Sequence, residues 1–493
     1  MSIPFIAVPL ILASLMPLIG KISKRVLPDV LTSAALLGLL GYSVFAGRQT
    51  FLKGADIWKA SWLGEALNIT LVLDSFSVLL LLTISLIGLS VALYSIDYME
   101  HFEAKASFYA LLLVMIAGMN GLVLSNDLFT MYLFLEVAAV SSYGLIAFGL
   151  ERNELEASLK YLLLSTVATA FLLLGIAIVF GLTGSLQLAA IAEAFSAVNN
   201  PAIVGFCMAL FIMGFGLKAA LVPFHAWLPD AHSSAPAPIS AMLSGVLIKV
   251  SGIYALTRVC FTIFGTQPGL GQVLMILGIA SILVGAIQAL GQNDIKRMLA
   301  YSSISQIGYI ILGLGVGTPL GILGAMFHLF NHAIAKGLLF LNSGALERAT
   351  GTRELDRMGG LARKMPVTAG TSIIGSLSIA GVPPLNGFWS KLLIILALVQ
   401  AKLYLPALIA LLAGILTLWY YLIIQRRAFF GKLNETWNHV TEAPFWMSFS
   451  VLLLGTICIL IGLLFPLVIL GWIQPATDAL TAGISQAIGL LGL

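Results

Sequence analysis

Two lysines stand inside segments of this sequence that otherwise have the composition of membrane-spanning helices. Lys218 and Lys249 flank a run rich in proline and polar residues, which includes His225, Trp227 and Asp230. An ammonium group at the centre of a lipid-embedded helix costs roughly 2.5–3.5 kcal/mol on insertion scales, so such groups usually face a polar interior and serve a function. The chemistry that suits buried amines of this kind is the binding and release of protons.

One carboxylate, Glu136, lies inside another apolar segment and could form an ion pair with Lys218. Burial alone disfavours the charged form of both groups, whereas a nearby opposite charge favours it. A pair that opens and closes would therefore change the proton affinity of both side chains, as a proton switch requires. The alternative is a static salt bridge that fixes helix packing, although buried ion pairs contribute little net stability.

His328, His332 and Lys336 recur at every fourth position of one apolar segment. In an α-helix this spacing places them about 6 Å apart along the axis, as a slowly rotating stripe on one face. Histidine titrates near neutral pH, so the stripe is suited to relay protons between lysines, with Asn331 and Asn342 beside it to hold water. The alternatives are polar side chains that only join helices, or a metal site, for which no carboxylate or cysteine lies nearby in the sequence.

Lys218 and Lys391 lie on opposite sides of two predicted helix breaks. Lys218 comes shortly before Pro223, whereas Lys391 comes shortly after Pro384. This mirrored order is what an inverted repeat produces, and inverted repeats place ion sites at interrupted helices near the middle of the membrane. The breaks free backbone groups that protein or water must satisfy, which predicts a hydrated interior.

The residues after the first break are candidates for proton uptake. His225 and Asp230 are placed to pass protons between the cytoplasm and Lys218. Equally, His225 could only satisfy the backbone groups that Pro223 leaves free. Two further acids, Asp74 and Asp127, come at predicted helix starts, where a carboxylate favours the positive end of the helix dipole, and we interpret them as caps.

The composition identifies the kind of scaffold that must position these side chains. Of 493 residues, 60% are hydrophobic and only 9% are charged, whereas soluble domains contain about 25% charged residues. We therefore expect an all-α polytopic membrane protein that forms a single bundle and binds no nucleic acid. Cys207, Cys260 and Cys458 stand far apart without a CxxC pair, so we expect no metal, no cofactor and no redox chemistry in this chain.

Apolar stretches of about 18 or more residues predict fourteen transmembrane helices. Helices seven and twelve are predicted to be broken, at Pro223 and at Pro383–Pro384, and Gln474 to Leu493 to form an interfacial helix. The fourteen lie near residues 3–20, 29–47, 69–94, 107–124, 127–149, 158–181, 201–222, 236–262, 270–290, 295–316, 318–346, 366–401, 404–424 and 445–470.

Loop charges predict the orientation of this bundle. Lysine and arginine concentrate in the breaks after odd-numbered helices, among them Lys105 and Lys296, so the positive-inside rule places the N-terminus outside. Arg258 lies near a helix end and could extend to the surface. Lys218, Lys249, Lys336 and Lys391 have no such exit.

Four segments of the sequence resemble the antiporter-like subunits of respiratory complex I, Mrp sodium/proton antiporters and membrane-bound hydrogenases. They are PFHAWLPDAHSSAPAPISAMLSGVLIKV, the FLEV that contains Glu136, HLFNHAIAKGLLFLNSG and PPLNGFWSK. The resemblance covers roughly residues 70–430. It implies two inverted five-helix repeats, at 107–262 and 270–424, between helices one to three (1–94) and a final helix (445–470) with a C-terminal tail.

The resemblance also implies roles for the charged residues. Glu136 and Lys218 would form the pair between helices five and seven, Lys249 would be the central lysine, the helix-eleven stripe the connecting relay, and Lys391 the terminal lysine. One complex I subtype has glutamate where this chain has Lys391, and another carries a long lateral helix for which this chain is too short. These departures favour the Mrp D-type or hydrogenase-linked branch.

We therefore predict a proton-translocating protein of the plasma (inner) membrane that works in a complex with other membrane subunits and in contact with lipid. Protons would load at Lys249 and move along the helix-eleven stripe to Lys391 when the Glu136–Lys218 pair opens. The parent complex could be an ion-translocating oxidoreductase whose redox chemistry lies in other chains.

Two alternatives stay open at this stage. The chain could exchange sodium for protons, with Asp127, Ser141 and Thr166 as scattered oxygen ligands. It could also be an inert scaffold that anchors a redox arm, in which case conservative replacement of the lysines would change nothing.

Overall fold

The long apolar runs form helices, because a chain surrounded by lipid has to satisfy its backbone groups within each segment. The computed structural model describes residues 1–61, 68–196, 200–265 and 268–491. The first half contains α1 (Ile3–Ile22), α2 (Val26–Lys53), β1 (Asp56–Ser61), β2 (Asn68–Leu73), α3 (Ser75–Tyr98), α4 (Lys105–Leu124), α5 (Leu128–Ile146), α6 (Arg152–Thr183), α7 (Leu188–Ser196), α8 (Pro201–Lys218), α9 (Trp227–Ser234), α10 (Ala237–Met242) and α11 (Ala255–Phe264).

The second half continues the bundle with further helices. They are α12 (Pro268–Leu290), α13 (Ile295–Val316), α14 (Pro319–Thr350), α15 (Pro366–Ala380), α16 (Asn386–Gln400), α17 (Tyr404–Ile424), α18 (Phe445–Leu463), α19 (Phe465–Val468) and α20 (Gln474–Leu491). Short 3-10 turns cover Met99–His101, Leu355–Arg357, Leu361–Arg363 and Glu435–Trp437, and π-helical turns cover Leu243–Leu247, Lys249–Tyr254, Gln425–Phe429 and Ile469–Ile473.

Thirteen helical segments of the described chain are long and apolar enough to cross a membrane. The fourteenth predicted span is made of two shorter apolar helices, α15 and α16, which the Pro383–Pro384 turn separates. The prediction of a fourteen-span membrane protein with breaks in helices seven and twelve is therefore confirmed. The finer division into two inverted repeats stays a prediction.

The predicted start of the third helix is wrong. Residues Asn68–Leu73 form a strand that pairs antiparallel with Asp56–Ser61, because the β-branched residues Ile69, Thr70 and Val72 favour an extended backbone. The helix begins only at Ser75, and its cap is Asp74, whose carboxylate accepts a hydrogen bond of 2.8 Å from the Ser77 backbone. Asp127 caps α5 in the same way, through the Thr130 backbone at 2.7 Å.

Arg258 does not extend to the surface as expected. It is 9% exposed and forms an ion pair of 2.7 Å with Asp74, because the first turn of α11 places it within reach of the residue that caps α3. Burial raises the pKa of the Asp74 carboxyl, but the Arg258 guanidinium outweighs this effect and holds that pKa below its ordinary value. The ion pair therefore connects α11, which follows the Lys249 segment in the chain, with the start of α3.

Two lysines that the sequence places in cytoplasmic breaks are buried in the structure. Lys105 begins α4 and forms an ion pair of 2.7 Å with Asp29 of α2, and Lys296 begins α13 and forms one of 2.6 Å with Glu347 of α14. Both lysines lie in the first turn of a helix rather than in a loop, because each is within reach of a carboxylate on another helix. They therefore hold helix ends together.

The tail forms a helix, as predicted, and one face of this helix packs against the bundle. Residues Gln474–Leu491 continue from a π-helical turn and pack against α3 and α11, with Thr477 and Leu480 buried. Its placement at the membrane surface stays a prediction.

Candidate functional site

Glu136 and Lys218 meet beside the first helix break. Lys218 is the last residue of α8, and its ammonium lies 3.4 Å from a carboxylate oxygen of Glu136 on α5. It also donates a hydrogen bond to the hydroxyl of Ser165 on α6. The Lys218 side chain is 2% exposed whereas that of Glu136 is 30% exposed. Glu136 therefore has more room to move away from its partner than Lys218 has.

Side chains of α6 and α9 hold the break itself. The indole of Trp227 donates a hydrogen bond of 3.1 Å to the carbonyl of Leu217 at the end of α8, which also accepts one of 3.1 Å from the Ala220 backbone. The ring of Tyr161 stacks on this indole, with 4.2 Å between ring centres. The position of Lys218 is therefore determined by packing on both sides of the break.

Lys249 lies at the centre of a wholly buried, irregular helix. The segment from α10 to α11 passes through the two π-helical turns Leu243–Leu247 and Lys249–Tyr254, a geometry that is frequent at functional sites. The ammonium of Lys249 is fully buried and donates to the carbonyl of Ser244. The Ser244 hydroxyl in turn lies 2.8 Å from that of Ser303 on α13.

The helix break also packs directly against the Lys249 segment. A Cβ atom added to Gly252 would lie 2.5 Å from the backbone of Ala219, the residue after Lys218. Because Gly252 has no side chain, the backbone after α8 can pack directly against the backbone of the helix that contains Lys249.

Lys336 binds the neighbouring helix α13. Its ammonium donates to the carbonyl of Leu299, 2.7 Å away, and to the hydroxyl of Ser302. The Ser302 hydroxyl lies 3.0 Å from the phenol of Tyr421 on α17. Like Lys249, Lys336 is fully buried, and the described residues give it no carboxylate partner.

The two histidines of α14 have different surroundings. His328 lies between two polar side chains, with Nδ1 at 2.9 Å from the Ser390 hydroxyl and Nε2 at 3.2 Å from the Gln306 carbonyl oxygen. His332 is equally buried, but within the described part of the chain neither of its ring nitrogens has a hydrogen-bond partner. The ring centres of the two histidines are 6.0 Å apart.

Lys391 lies beside the second break, as Lys218 lies beside the first. Its ammonium donates a hydrogen bond of 2.7 Å to the carbonyl of Ile379, near the end of α15. It also faces the ring of Tyr309, 4.6 Å from the ring centre. Both break lysines thus lie at the C-terminal end of a half-helix, where the helix dipole favours a positive charge.

Asp230 lies in a polar cavity at the end of the bundle that the loop charges assign to the cytoplasm. The cavity measures about 300 Å³ and is lined by charged side chains of α6, α9 and α13. Asp230 forms ion pairs there with Lys160, at 3.0 Å, and with Arg297. His225 is half-buried in the break, and among the described residues its Nδ1 has no partner and its side chain makes no hydrogen bond to Lys218.

Sequence reasoning missed two groups of polar side chains. Ser302, Ser303 and Gln306 form a row on α13 that contacts Lys336, Ser244 and His328, and their recurrence within an apolar span was the available signal. The other missed residue is His232 of α9, which stands in the polar run between Lys218 and Lys249. It is fully buried against the ring of Phe340, 4.8 Å between centres, and neither ring nitrogen has a partner in the described chain.

The three oxygen ligands considered for sodium are not brought together. Asp127 caps the start of α5, whereas Ser141 lies about 20 Å further along the same helix and donates to its own backbone at Val137. Thr166 is exposed on α6 and donates to the carbonyl of Leu162. These residues therefore do not form one cation site.

The chain matches the family model described as NADH:quinone oxidoreductase/Mrp antiporter, TM over residues 125–417. A second model, described as NADH-Ubiquinone oxidoreductase (complex I), chain 5 N-terminus, matches residues 62–109. These matches cover the breaks, the buried lysines and the histidine stripe.

Similar proteins come from more than one kind of complex. The chain is 33% identical to the N-type subunit of NADH-quinone oxidoreductase from Desulforudis audaxviator, over 94% of this chain and 95% of that protein. It is 34% identical to the D-type subunit of the Na(+)/H(+) antiporter from Alkalihalophilus pseudofirmus, over 87% of each. A chain in the structure of the membrane-bound sulfane sulfur reductase, an archaeal respiratory membrane complex, matches with a TM-score of 0.90 and 30% identity, over 99% of both chains.

Proposed function

Because the chain belongs to the NADH:quinone oxidoreductase/Mrp antiporter family of antiporter-like membrane subunits, we propose that its buried lysines and histidines carry protons across the membrane. The chain is an integral membrane protein, and its relatives are subunits of multisubunit membrane complexes. Proton transfer through this chain would therefore be driven by events in neighbouring subunits.

The observation that carries the proposal is the set of acceptors around three lysines. Lys249, Lys336 and Lys391 are at most 6% exposed, and in the described chain the hydrogen bonds of their ammonium groups go only to carbonyl and hydroxyl oxygens. A permanent charge without a counter-ion is costly in such surroundings, so amines there are poised to lose a proton. Groups that alternate between charged and neutral states are proton carriers.

The proposed transfer begins at Lys249. Separation of Glu136 from Lys218 leaves an unpaired ammonium at the break, and its repulsion lowers the proton affinity of the neighbouring lysine. The proton moves through Lys336, His332 and His328, with water at the unpaired ring nitrogens, to Lys391. Release from Lys391 to the opposite side completes the transfer.

The polar cavity around Asp230 is the proposed site of proton uptake. Its charged lining faces the end of the bundle that carries most loop lysines and arginines, which supports a cytoplasmic opening and an N-terminus outside the plasma (inner) membrane. His232 follows Asp230 by two residues on α9 and lies near Lys249 and Lys336, and His225 in the break is the second candidate for this uptake path. No metal, cofactor or redox group of its own is part of the proposal.

The two repeats at 107–262 and 270–424 remain part of the proposal. The support for them is the mirrored placement of Lys218 before one break and Lys391 after the other, each at the end of a half-helix.

Sodium exchange is the second candidate, because one relative is an antiporter named for sodium and protons. The separation of Asp127, Ser141 and Thr166 speaks against it for this chain. Proton release from vesicles that depends on added sodium, with no electron donor present, would favour exchange over redox-driven pumping.

The decisive experiment replaces Lys218 with alanine in the complete complex. Lys218→Ala should abolish proton uptake by inverted membrane vesicles while leaving the subunits assembled. Lys24→Ala, at an exposed lysine of the loop after α1, is the matched control and should pump at the normal rate. Normal pumping by Lys218→Ala would refute the scheme.

A further inference from the structure

We propose that Gln306 is a positioning residue that makes His328, and not His332, the proton-holding histidine of α14. The inference rests on the proposed function and identifies which member of the stripe stores the proton. It starts from the different hydrogen bonds of two histidines that lie one helical turn apart on the same face.

The contact at Nε2 defines one hydrogen position on His328. The atom that faces Nε2 is the amide oxygen of Gln306, at 3.2 Å, and an amide oxygen can only accept a hydrogen bond. Nε2 must therefore carry a hydrogen in this arrangement. The neutral ring then has its lone pair on Nδ1, which is the atom that gains or loses the proton.

The contact at Nδ1 allows both protonation states without movement of the heavy atoms. The Ser390 hydroxyl lies 2.9 Å from Nδ1 and 3.2 Å from the carbonyl of Gly387 in its own helix. When its hydrogen points to Nδ1, the ring is neutral; when it points to Gly387, its oxygen accepts from a protonated Nδ1. Rotation of one hydroxyl hydrogen thus accompanies proton binding.

His332 has no such arrangement. Both of its ring nitrogens lack partners among the described residues, so no protein group selects a tautomer or stabilises the charged ring. Water can still carry protons past it. A histidine with a fixed acceptor on one side and a hydroxyl on the other is therefore the better storage site.

Several titratable groups face His328 and act on any charge that it holds. They are His332 on its own helix, Tyr309 on α13, Lys249 on the irregular helix and Lys391 on α16. The lysines disfavour a protonated ring by repulsion. The amide oxygen of Gln306 accepts a hydrogen bond from Nε2 at 3.2 Å, and this bond stabilises the protonated ring against the repulsion.

The other end of the Gln306 amide also faces the interior. Its Nε2 is buried, and so is the hydroxyl of Tyr420 on α17, and within the described chain neither atom has a hydrogen-bond partner. Buried polar atoms of this kind usually bind ordered water. An amide that holds His328 on one side and water on the other keeps the ring in contact with the hydrated path.

The test compares two substitutions of opposite sign. Gln306→Glu places a carboxylate opposite Nε2 and should raise the pH at which His328 loses its proton by about one unit or more, whereas Gln306→Met removes the acceptor and should lower it. The readout is the ¹⁵N NMR titration of histidine-labelled complex in lipid, with His328→Gln used to assign the signal. The pH profile of pumping should move in the same directions.

The same spectra report the tautomer of the neutral ring in the unmodified complex. A hydrogen on Nε2 of His328 is expected, because the amide oxygen of Gln306 faces that atom. A neutral ring with its hydrogen on Nδ1 would overturn the inference before any variant is made.

Gln425→Glu is the matched control, because this buried amide contacts Ser372 and Ser376 and no histidine. It should leave the His328 midpoint unchanged. If Gln306→Glu prevents assembly, Gln306→Met alone decides, since methionine has a similar volume. A midpoint that is unchanged in Gln306→Met, or that moves equally in the control, would also overturn the inference.

Failure of this inference can be told from failure of the proposed function. If the Gln306 variants have no effect while Lys218→Ala stops pumping, the relay stands and the role of Gln306 does not. If Lys218→Ala pumps normally, the relay itself is wrong.

Discussion

The carboxylate of Glu136 and the ammonium of Lys218 lie 3.4 Å apart but in different surroundings: Glu136 is 30% exposed on the isolated chain, and Lys218 only 2%. Because a charged group is costly against lipid, we expect a neighbouring protein surface to cover this part of α5 in the assembled complex. Lys218 would then lie in the interior of this chain, and Glu136 at its interface with the neighbouring protein.

Glu136→Gln should reduce proton pumping at least tenfold without loss of assembly. The amide keeps the size of the side chain but no longer attracts the Lys218 ammonium, which remains bound to Ser165. Pumping is measured in inverted vesicles, and assembly by native electrophoresis. Glu156→Gln, which removes only an exposed partner of Lys160, should behave as the unmodified complex. Equal rates in Glu136→Gln and the control would contradict the switch.

Lys391→Arg should separate the two roles of Lys391. Arginine can still donate to the carbonyl of Ile379, so the end of α15 should stay in place and thermal stability should change by no more than a few degrees. Arginine does not release its proton at accessible pH, so pumping should stop. Retained pumping would show that Lys391 is not a carrier, and lost assembly would be resolved by Lys391→Gln, whose amide can still donate a hydrogen bond but carries no titratable proton.

Gly252→Ala should destabilise the protein by about 1–3 kcal/mol. Its Cβ would lie 2.5 Å from backbone atoms of Ala219, which cannot move away without displacing the break. Thermal unfolding in detergent measures the loss. Gly205→Ala on α8, where a Cβ would meet no atom within 4 Å, is the control and should be neutral or slightly stabilising. A Gly252→Ala protein as stable as the control would show that the close approach is not required.

Asp74→Asn should lower thermal stability in a pH-dependent way. Arg258 holds the pKa of Asp74 below its ordinary value of 3.8, so the stabilisation is complete above that value and is lost as the pH falls through the lower one. The difference in Tm between the two proteins should therefore be constant from pH 7 to about pH 5 and shrink in stronger acid. The exposed Asp478, replaced with asparagine, should give no such difference. A gap that stays constant down to about pH 2 would exclude this charge effect.

Sequence periodicity was sufficient for the spans, the broken helices and the candidate residues, because those signals are local. Lys336 follows His328 on one helix face, and Lys391 follows its prolines, in any fold that keeps these segments helical. The expected meeting of Glu136 with Lys218 needed one further premise, which is that buried opposite charges attract.

Contacts between distant segments were beyond that reasoning. The hydrogen bond between His328 and Gln306 depends on how α13 and α14 are rotated relative to each other. The stacking of Tyr161 on Trp227 depends on the packing of α6 beside the first break. The π-helical turns around Lys249 also depend on tertiary packing, since nothing in the local composition distinguishes them from an ordinary helix.

The hydrogen bond from Lys391 to the end of α15 has a mechanical consequence. In the proposed transfer, the group that carries the proton is also the positive charge that balances the negative end of this half-helix. Each departing proton leaves that end uncompensated, and each arriving one restores it. If Lys391 carries protons as proposed, the electrostatic balance at the turn between α15 and α16 would change once per turnover, and we expect a neighbouring protein in contact with this turn to respond to that change.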